Sequence, residues 1–161
     1  MVFGANFVFL RRPKVFSHFT NTIRMKLIII NGPNLNLLGK REPELYGSKT
    51  FEDFFSQLQF QFREVQLEYF QSNIEGELID KLQEVGFSYD GIILNAAAYT
   101  HTSVGLGDVV KAIDAPVVEV HISNIASREP FRHESHISAG ARGVIFGFGL
   151  QGYELAVRSF L

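Results

Sequence analysis

Two residues apart in the apolar run at 117–122 stand a carboxylate and an imidazole, Glu119 and His121. An extended strand puts that spacing on one face. The carboxylate can then fix the imidazole's tautomer and support its protonated form, so His121 reads as a general acid. A second reactive set lies near the other end of the chain, where Lys40, Arg41 and Tyr46 sit between Gly39 and Gly47. Glycine hinges suit a mobile cover. A phenol beside a guanidinium has its pKa drawn down from about 10, because the opposite charge stabilises the phenolate. Tyr46 is thereby a candidate base; from this stretch alone, a packed phenol and a solvated loop cation remain the alternative.

Two amides (Asn34, Asn95), a second imidazole (His101), Ser123 and the cations Arg128 and Arg132 complete the inventory. His133 and His136 read as structural residues. The histidines lack helical metal-pair spacing and no cluster of acids accompanies them, so no metal is expected. Neither G-x-G-x-x-G nor G-K-S/T occurs around the glycines at 32–39, which removes the dinucleotide and P-loop fingerprints. The cationic cover argues for an anionic ligand, and the amides and Ser123 suit a small hydroxylated carboxylate as well as a phosphate. A flavin- or phosphate-binding module stays open on these residues.

The elements that must position this chemistry follow from apolar periodicity. A largely β-branched run at 27–30 suits a strand buried on both faces, and Asn31-Gly32-Pro33-Asn34 ends it, presenting Asn34 at its carboxyl end. Thr50 is placed to cap a helix with Glu52 and Asp53 in its first turn and Phe51, Phe54, Phe55, Leu58 and Phe62 at helical spacing. A second strand is expected at 65–70. Ser72 and Glu75 read as a capping box for a helix that buries Ile74, Leu78, Ile79, Leu82 and Val85 and ends at Gly86. Further strands are expected at 92–94, 117–122 and 143–147, with helices at 103–113 and 153–161 and an irregular polar stretch at 123–136. Strands alternating with helices predict an α/β doubly wound, five-stranded parallel sheet, flavodoxin-like, in the order 2-1-3-4-5. In that order strands 1 and 3 flank the topological switch point, where such sheets bind small molecules. Asn34, Asn95, His101, His121 and Ser123 all fall at strand carboxyl ends facing one crevice.

The 161 residues are 46% hydrophobic and 20% charged, enough for one domain with a full core. The net charge of -2 gives no case for nucleic acid. Charge is unevenly placed: residues 1–24 carry Arg11, Arg12, Lys14 and Arg24 with no acid, which leaves 11 basic against 17 acidic residues in 25–161. Such a leader resembles a transit peptide, but Met25 directly precedes the first strand, and an upstream extension outside the fold is the plainer reading. The expected organisation is thus an extension at 1–24 and one domain at 25–161. Absence of cysteine excludes disulfides and says little about compartment beyond being compatible with a reducing cytosol; a cytoplasmic location is the expectation. No run approaches the ~18 apolar residues that span a bilayer.

Three motifs in order carry a family resemblance: N-G-P-N-L-N-L-L-G-K-R-E-P-x-x-Y-G at 31–47, N-x-x-x-Y-T-H-T-S at 95–103, and V-E-V-H-I-S-N-x-x-x-R-E-x-F-R at 118–132. With them the chain from 25 to 161 resembles the type II 3-dehydroquinate dehydratases (type II dehydroquinases) of the shikimate pathway. The resemblance implies a hydro-lyase that removes water from 3-dehydroquinate by trans (anti) elimination, giving 3-dehydroshikimate through an enolate, with no cofactor, metal or Schiff base. It serves aromatic biosynthesis or quinate breakdown. By resemblance Tyr46 is the base, its phenolate favoured by Arg41 and further by Arg128. Asn34 helps stabilise the enolate through an ordered water, and His121, positioned by Glu119, protonates the departing hydroxyl. Asn95 with Ile122 and Ser123 holds the substrate carboxylate and a neighbouring hydroxyl, while His101 and Arg132 hold ring hydroxyls. The family's assembly, a dodecamer of four trimers, implies a homododecamer here, with Asp108 reaching a neighbouring subunit's site. One departure is local. Many relatives have Pro-Gly or Ala-Gly after the strand 3 asparagine, whereas this chain has Ala96-Ala97.

Overall fold

The structure, a computed structural model, describes residues 24–39 and 50–161. Its strands are β1 (Met25–Asn31), β2 (Val65–Gln71), β3 (Gly91–Asn95), β4 (Val117–His121) and β5 (Gly143–Phe146). All pair in parallel, in the order β2-β1-β3-β4-β5. This is the expected sheet. The helices between them are α1 (Phe51–Gln61), α2 (Glu75–Val85), α3 (Val104–Ala112) and α4 (Gln151–Arg158).

Alternation along the strands divides the core into two layers. Leu27 and Ile29 of β1 meet Phe51 and Leu58 of α1 and Tyr153, Ala156 and Val157 of α4 on one face. Ile28 and Ile30 meet Leu78 and Leu82 of α2 and Leu106 and Val110 of α3 on the other. With both faces covered, β1 from Leu27 onward and β3 carry no polar side chain until their carboxyl ends, where Asn31 and Asn95 pair in register, while β4 buries Glu119 among valines.

Helix starts follow hydroxyl caps at two of the expected places. Thr50 accepts from the Asp53 N–H at 3.1 Å, and Ser103 from the Leu106 N–H at 2.9 Å. The Ser72–Glu75 capping box does not form. Ser72 Oγ closes a tighter turn by accepting from the Ile74 N–H at 2.9 Å and donates to Glu77, so the helix begins after Ile74, which is exposed rather than buried. Gly86 does end α2, but at φ -62; it is needed because a Cβ there would lie 2.4 Å from Ile113 Cγ2. The polar stretch after β4 holds two 3-10 turns, Ile125–Ser127 and Pro130–His133. The last helix runs Gln151–Arg158, two residues earlier than its apolar pattern predicts, entered from Gly147 and Gly149 at positive φ.

Candidate active site

At the carboxyl edge of the sheet the chains leaving β1 and β3 press together. The Gly32 N–H donates to the Asn95 carbonyl at 2.7 Å, and a Cβ on Gly32 would stand 2.5 Å from the Ala96 carbonyl oxygen. Only glycine passes so close. Beyond it Asn34 takes a left-handed conformation (φ 68), which asparagine tolerates, and its N–H donates to Asn73 Oδ1 at 2.9 Å. Gln71 Nε2 ties the same turn down through Asn73 Oδ1 at 3.1 Å and the Gly32 carbonyl at 3.3 Å. Ala97 is also left-handed, at φ 53. The departure from Gly in the sequence thus falls on a backbone conformation that glycine would adopt with less strain.

Asn95 is held from below. Its Nδ2 donates to the Tyr153 hydroxyl at 2.8 Å, that hydroxyl donates to Asn31 Oδ1 at 2.9 Å, and the Ala97 N–H donates to Asn95 Oδ1 at 3.2 Å. Burial pushes the Tyr153 pKa well up, against the bonds from Asn95 and Asn31, so the phenol is neutral and can both accept and donate. Burial likewise raises neighbouring Tyr69 to about 12. The chain Asn95–Tyr153–Asn31 fixes which edge of the Asn95 amide is the donor.

The carboxylate and imidazole of β4 meet as their spacing predicts: His121 Nε2 lies 2.7 Å from Glu119 Oε1, with Glu119 0% and His121 5% exposed. Burial works to raise the Glu119 pKa. The hydrogen bonds from His121 and Ser138, the charge of His121 and the bond from Ser135 work against it and prevail, so the carboxyl titrates below the ordinary carboxylate value. His101 stacks on His121 with ring centroids 5.9 Å apart, and its Nδ1 lies 2.6 Å from the Glu134 carbonyl. A carbonyl only accepts, so Nδ1 carries the hydrogen and Nε2 is the free acceptor when the ring is neutral. Arg132 is braced by Glu129 at 2.9 Å and lies over the Phe131 ring; Arg128 reaches Ser123 Oγ at 3.4 Å.

These groups enclose a cavity of about 260 Å³ at the switch point between β1 and β3. Asn34, Asn95, His101 and His121 line it, as do Ile122, Ser123, Arg128 and Arg132. Glu119 backs His121 from within the core. Asp108 is exposed on α3 and does not line this cavity. Arg41 and Tyr46, with the whole expected cover at 40–47, lie outside the described residues. Sequence reasoning missed Ser135 and Ser138, which bond Glu119, and the supports Asn31 and Tyr153. No local pattern marks the serines; Asn31 could have been found as a polar residue closing an otherwise apolar strand. An arrangement with an acid–imidazole pair, oriented amides and two guanidiniums around a small cavity of mixed polar and apolar lining can seat an anionic, hydroxylated molecule and move a proton on it.

The family described as "Dehydroquinase class II" matches residues 25–161. A 3-dehydroquinate dehydratase of an Exiguobacterium species is 52% identical over 138 residues, covering 85% of this chain and 94% of its own. One from Prochlorococcus marinus is 52% identical over 139 residues, covering 85% and 96%. Among solved structures, the type II dehydroquinase from Butyrivibrio crossotus superposes with a TM-score of 0.81 at 41% identity, covering 85% of this chain and 97% of that one.

Proposed function

This chain belongs to the class II dehydroquinase family, and from that premise we propose how its cavity dehydrates 3-dehydroquinate to 3-dehydroshikimate as a hydro-lyase of the shikimate pathway. The observation that carries the reading is the convergence of eight side chains, at or after the carboxyl ends of β1, β3 and β4, on one cavity, with His121 at its wall and the buried Glu119 behind it.

Tyr46, with Arg41 and Arg128 favouring its phenolate, takes the proton from the carbon alpha to the ketone. The electron pair moves into an enolate, stabilised by Asn34 through an ordered water. As the enolate collapses, the ring C–O bond breaks, and His121 protonates the departing hydroxyl, releasing water and a conjugated enone. Acid and base act from opposite faces, as an anti elimination demands. Asn95, Ile122 and Ser123 hold the substrate carboxylate and adjoining hydroxyl, with His101 and Arg132 on ring hydroxyls. The fixed amide of Asn95 and the braced guanidinium of Arg132 favour that role, since oriented donors lose little freedom on binding.

Residues 25–161 form the catalytic domain in this reading, with 1–24 an extension outside it, and the site of action is cytoplasmic. Among the described residues no helix is long and apolar enough to cross a membrane. The assembly is a homododecamer of four trimers. One feature favours association: edge strand β5 leaves Val144 and Phe146 exposed, with Phe148 beyond it.

The reaction is read as ultraviolet absorbance in the band of a conjugated enone carboxylate after mixing metal-stripped protein with 3-dehydroquinate, beside a borohydride-treated control. A rise that survives both treatments is expected. Folded protein that produces none would refute the reading.

A further inference from the structure

The Glu119 carboxylate receives more than His121. Ser138 Oγ donates to Oε2, and Ser135 Oγ lies 3.0 Å from Oε1 and 3.3 Å from Oε2. Both serines come from the turn at 135–138, between the Pro130–His133 turn and β5.

Ser135 is the junction of this cage. Its oxygen accepts the Ile137 N–H at 3.1 Å and the Ser138 N–H at 3.0 Å. A hydroxyl oxygen has two lone pairs and one proton. With both lone pairs engaged by the backbone, its proton must point outward, and Glu119 is the acceptor there. Ser135 therefore donates to Glu119 and cannot accept from it. With the serine hydroxyl protons directed at both of its oxygens, and its pKa held below the ordinary carboxylate value, Glu119 sits in the cage as an anion. A carboxylate only accepts. The imidazole nitrogen against it, Nε2, must carry hydrogen, and Nδ1 is left without a hydrogen bond to any described residue in a ring that lines the cavity.

We propose that Ser135 and Ser138 are positioning residues for the acid step: acting through Glu119 they keep hydrogen on His121 Nε2, so the acid is the doubly protonated imidazolium and the proton it gives to the departing hydroxyl is the one on Nδ1, which leaves the neutral Nε2–H ring. The Nδ1–H bond breaks as the O–H bond of water forms and the ring C–O bond opens; the Nε2–H bond to Glu119 persists throughout. This rests on the elimination proposed above. Among the described residues, the other titratable or charged groups facing His121 are His101, stacked on it from the 97–101 turn, and Arg128 and Arg132, which share its cavity. Nε2 makes its hydrogen bond to Glu119 and to none of these three.

Imidazole ¹⁵N–¹H correlation spectra of the labelled full chain, recorded across a pH series, read the tautomer directly and do not depend on activity. The expected result is an Nε2–H form for His121 in wild type and a second tautomer in Ser135→Ala. In parallel, kcat for 3-dehydroquinate falls about tenfold in Ser135→Ala and Ser138→Ala, the loss of one hydrogen bond to a charge, with KM changed less than about twofold. Ser138→Thr, which keeps the hydroxyl, returns kcat to within about twofold of wild type. An Nδ1–H form in wild type overturns the proposal, as do folded alanine variants with wild-type kcat and tautomer. A variant that fails to fold leaves the wild-type tautomer to decide. Wild type that shows the Nε2–H form but no dehydration would count against the elimination and leave the serine cage standing.

Discussion

Glu119 links folding to acidity. Its folded pKa lies below the ordinary value of 4.5, because hydrogen bonds and the charge of His121 outweigh the opposing effect of burial. A carboxyl shifted in that direction adds stability above its unfolded pKa, and the contribution disappears as pH falls through the folded value. Urea titrations from about pH 6 down to about pH 3 should therefore show a smaller loss of stability in Glu119→Gln than in wild type, even though the variant is less stable at neutral pH. Equal losses would mean that the carboxyl is not held as described. At the same scale stands the base. Tyr46→Phe should fold and bind ligand like wild type while kcat drops by about 10²–10⁴, the usual contribution of a positioned base; near-normal turnover would remove Tyr46 from that role.

At the scale of the elements, Ala97 at φ 53 is a point of strain, since alanine, unlike Asn34, has no side-chain group that eases the left-handed conformation. A left-handed L-residue costs about 1–2 kcal/mol, and glycine gives back about 0.5–1 kcal/mol of that in lost backbone freedom. Ala97→Gly should thus stabilise by up to about 1 kcal/mol and raise Tm by about 2–4 °C in a domain this size. Ser103→Ala removes the hydroxyl that accepts the Leu106 N–H at the start of α3 and should cost about 1 kcal/mol. Both are read by thermal melts. The helix starts at Thr50 and Ser103 were legible because one hydroxyl and the next few residues decide them. The Glu119–His121 pair was legible for the same reason, a local period of two. Ser72 matched a capping pattern equally well, yet its hydroxyl found Ile74 and Glu77 instead; a motif names a donor and leaves open which partner wins. Ser135 and Ser138 could not be read at all. They reach Glu119 across 16 and 19 residues, through the fold of a turn with no periodicity of its own. Tyr153 was legible as a helix residue, but not as the support for Asn95, since its partners lie 58 and 122 residues away.

For the whole molecule, sheet order decides where chemistry can happen. Because β1 lies between β2 and β3, the chain leaves β1 and β3 on opposite faces, and a crevice opens between their ends. The three reactive segments of the sequence are those that leave β1, β3 and β4, and for that reason the cavity was foreseeable before any side chain was placed. Light scattering should report an assembly far larger than a monomer, and a charge placed on the exposed face of β5, as in Phe146→Lys, should reduce its size; a fully active monomer would contradict the proposed dodecamer. The central claim is that acid and base stand on opposite faces of the substrate ring. The direct test is proton NMR of the product formed from 3-dehydroquinate deuterated stereospecifically at the carbon alpha to the ketone. Loss of the label only from the position anti to the departing hydroxyl is the predicted result. Loss of the syn label, with the anti label retained in the product, would contradict it.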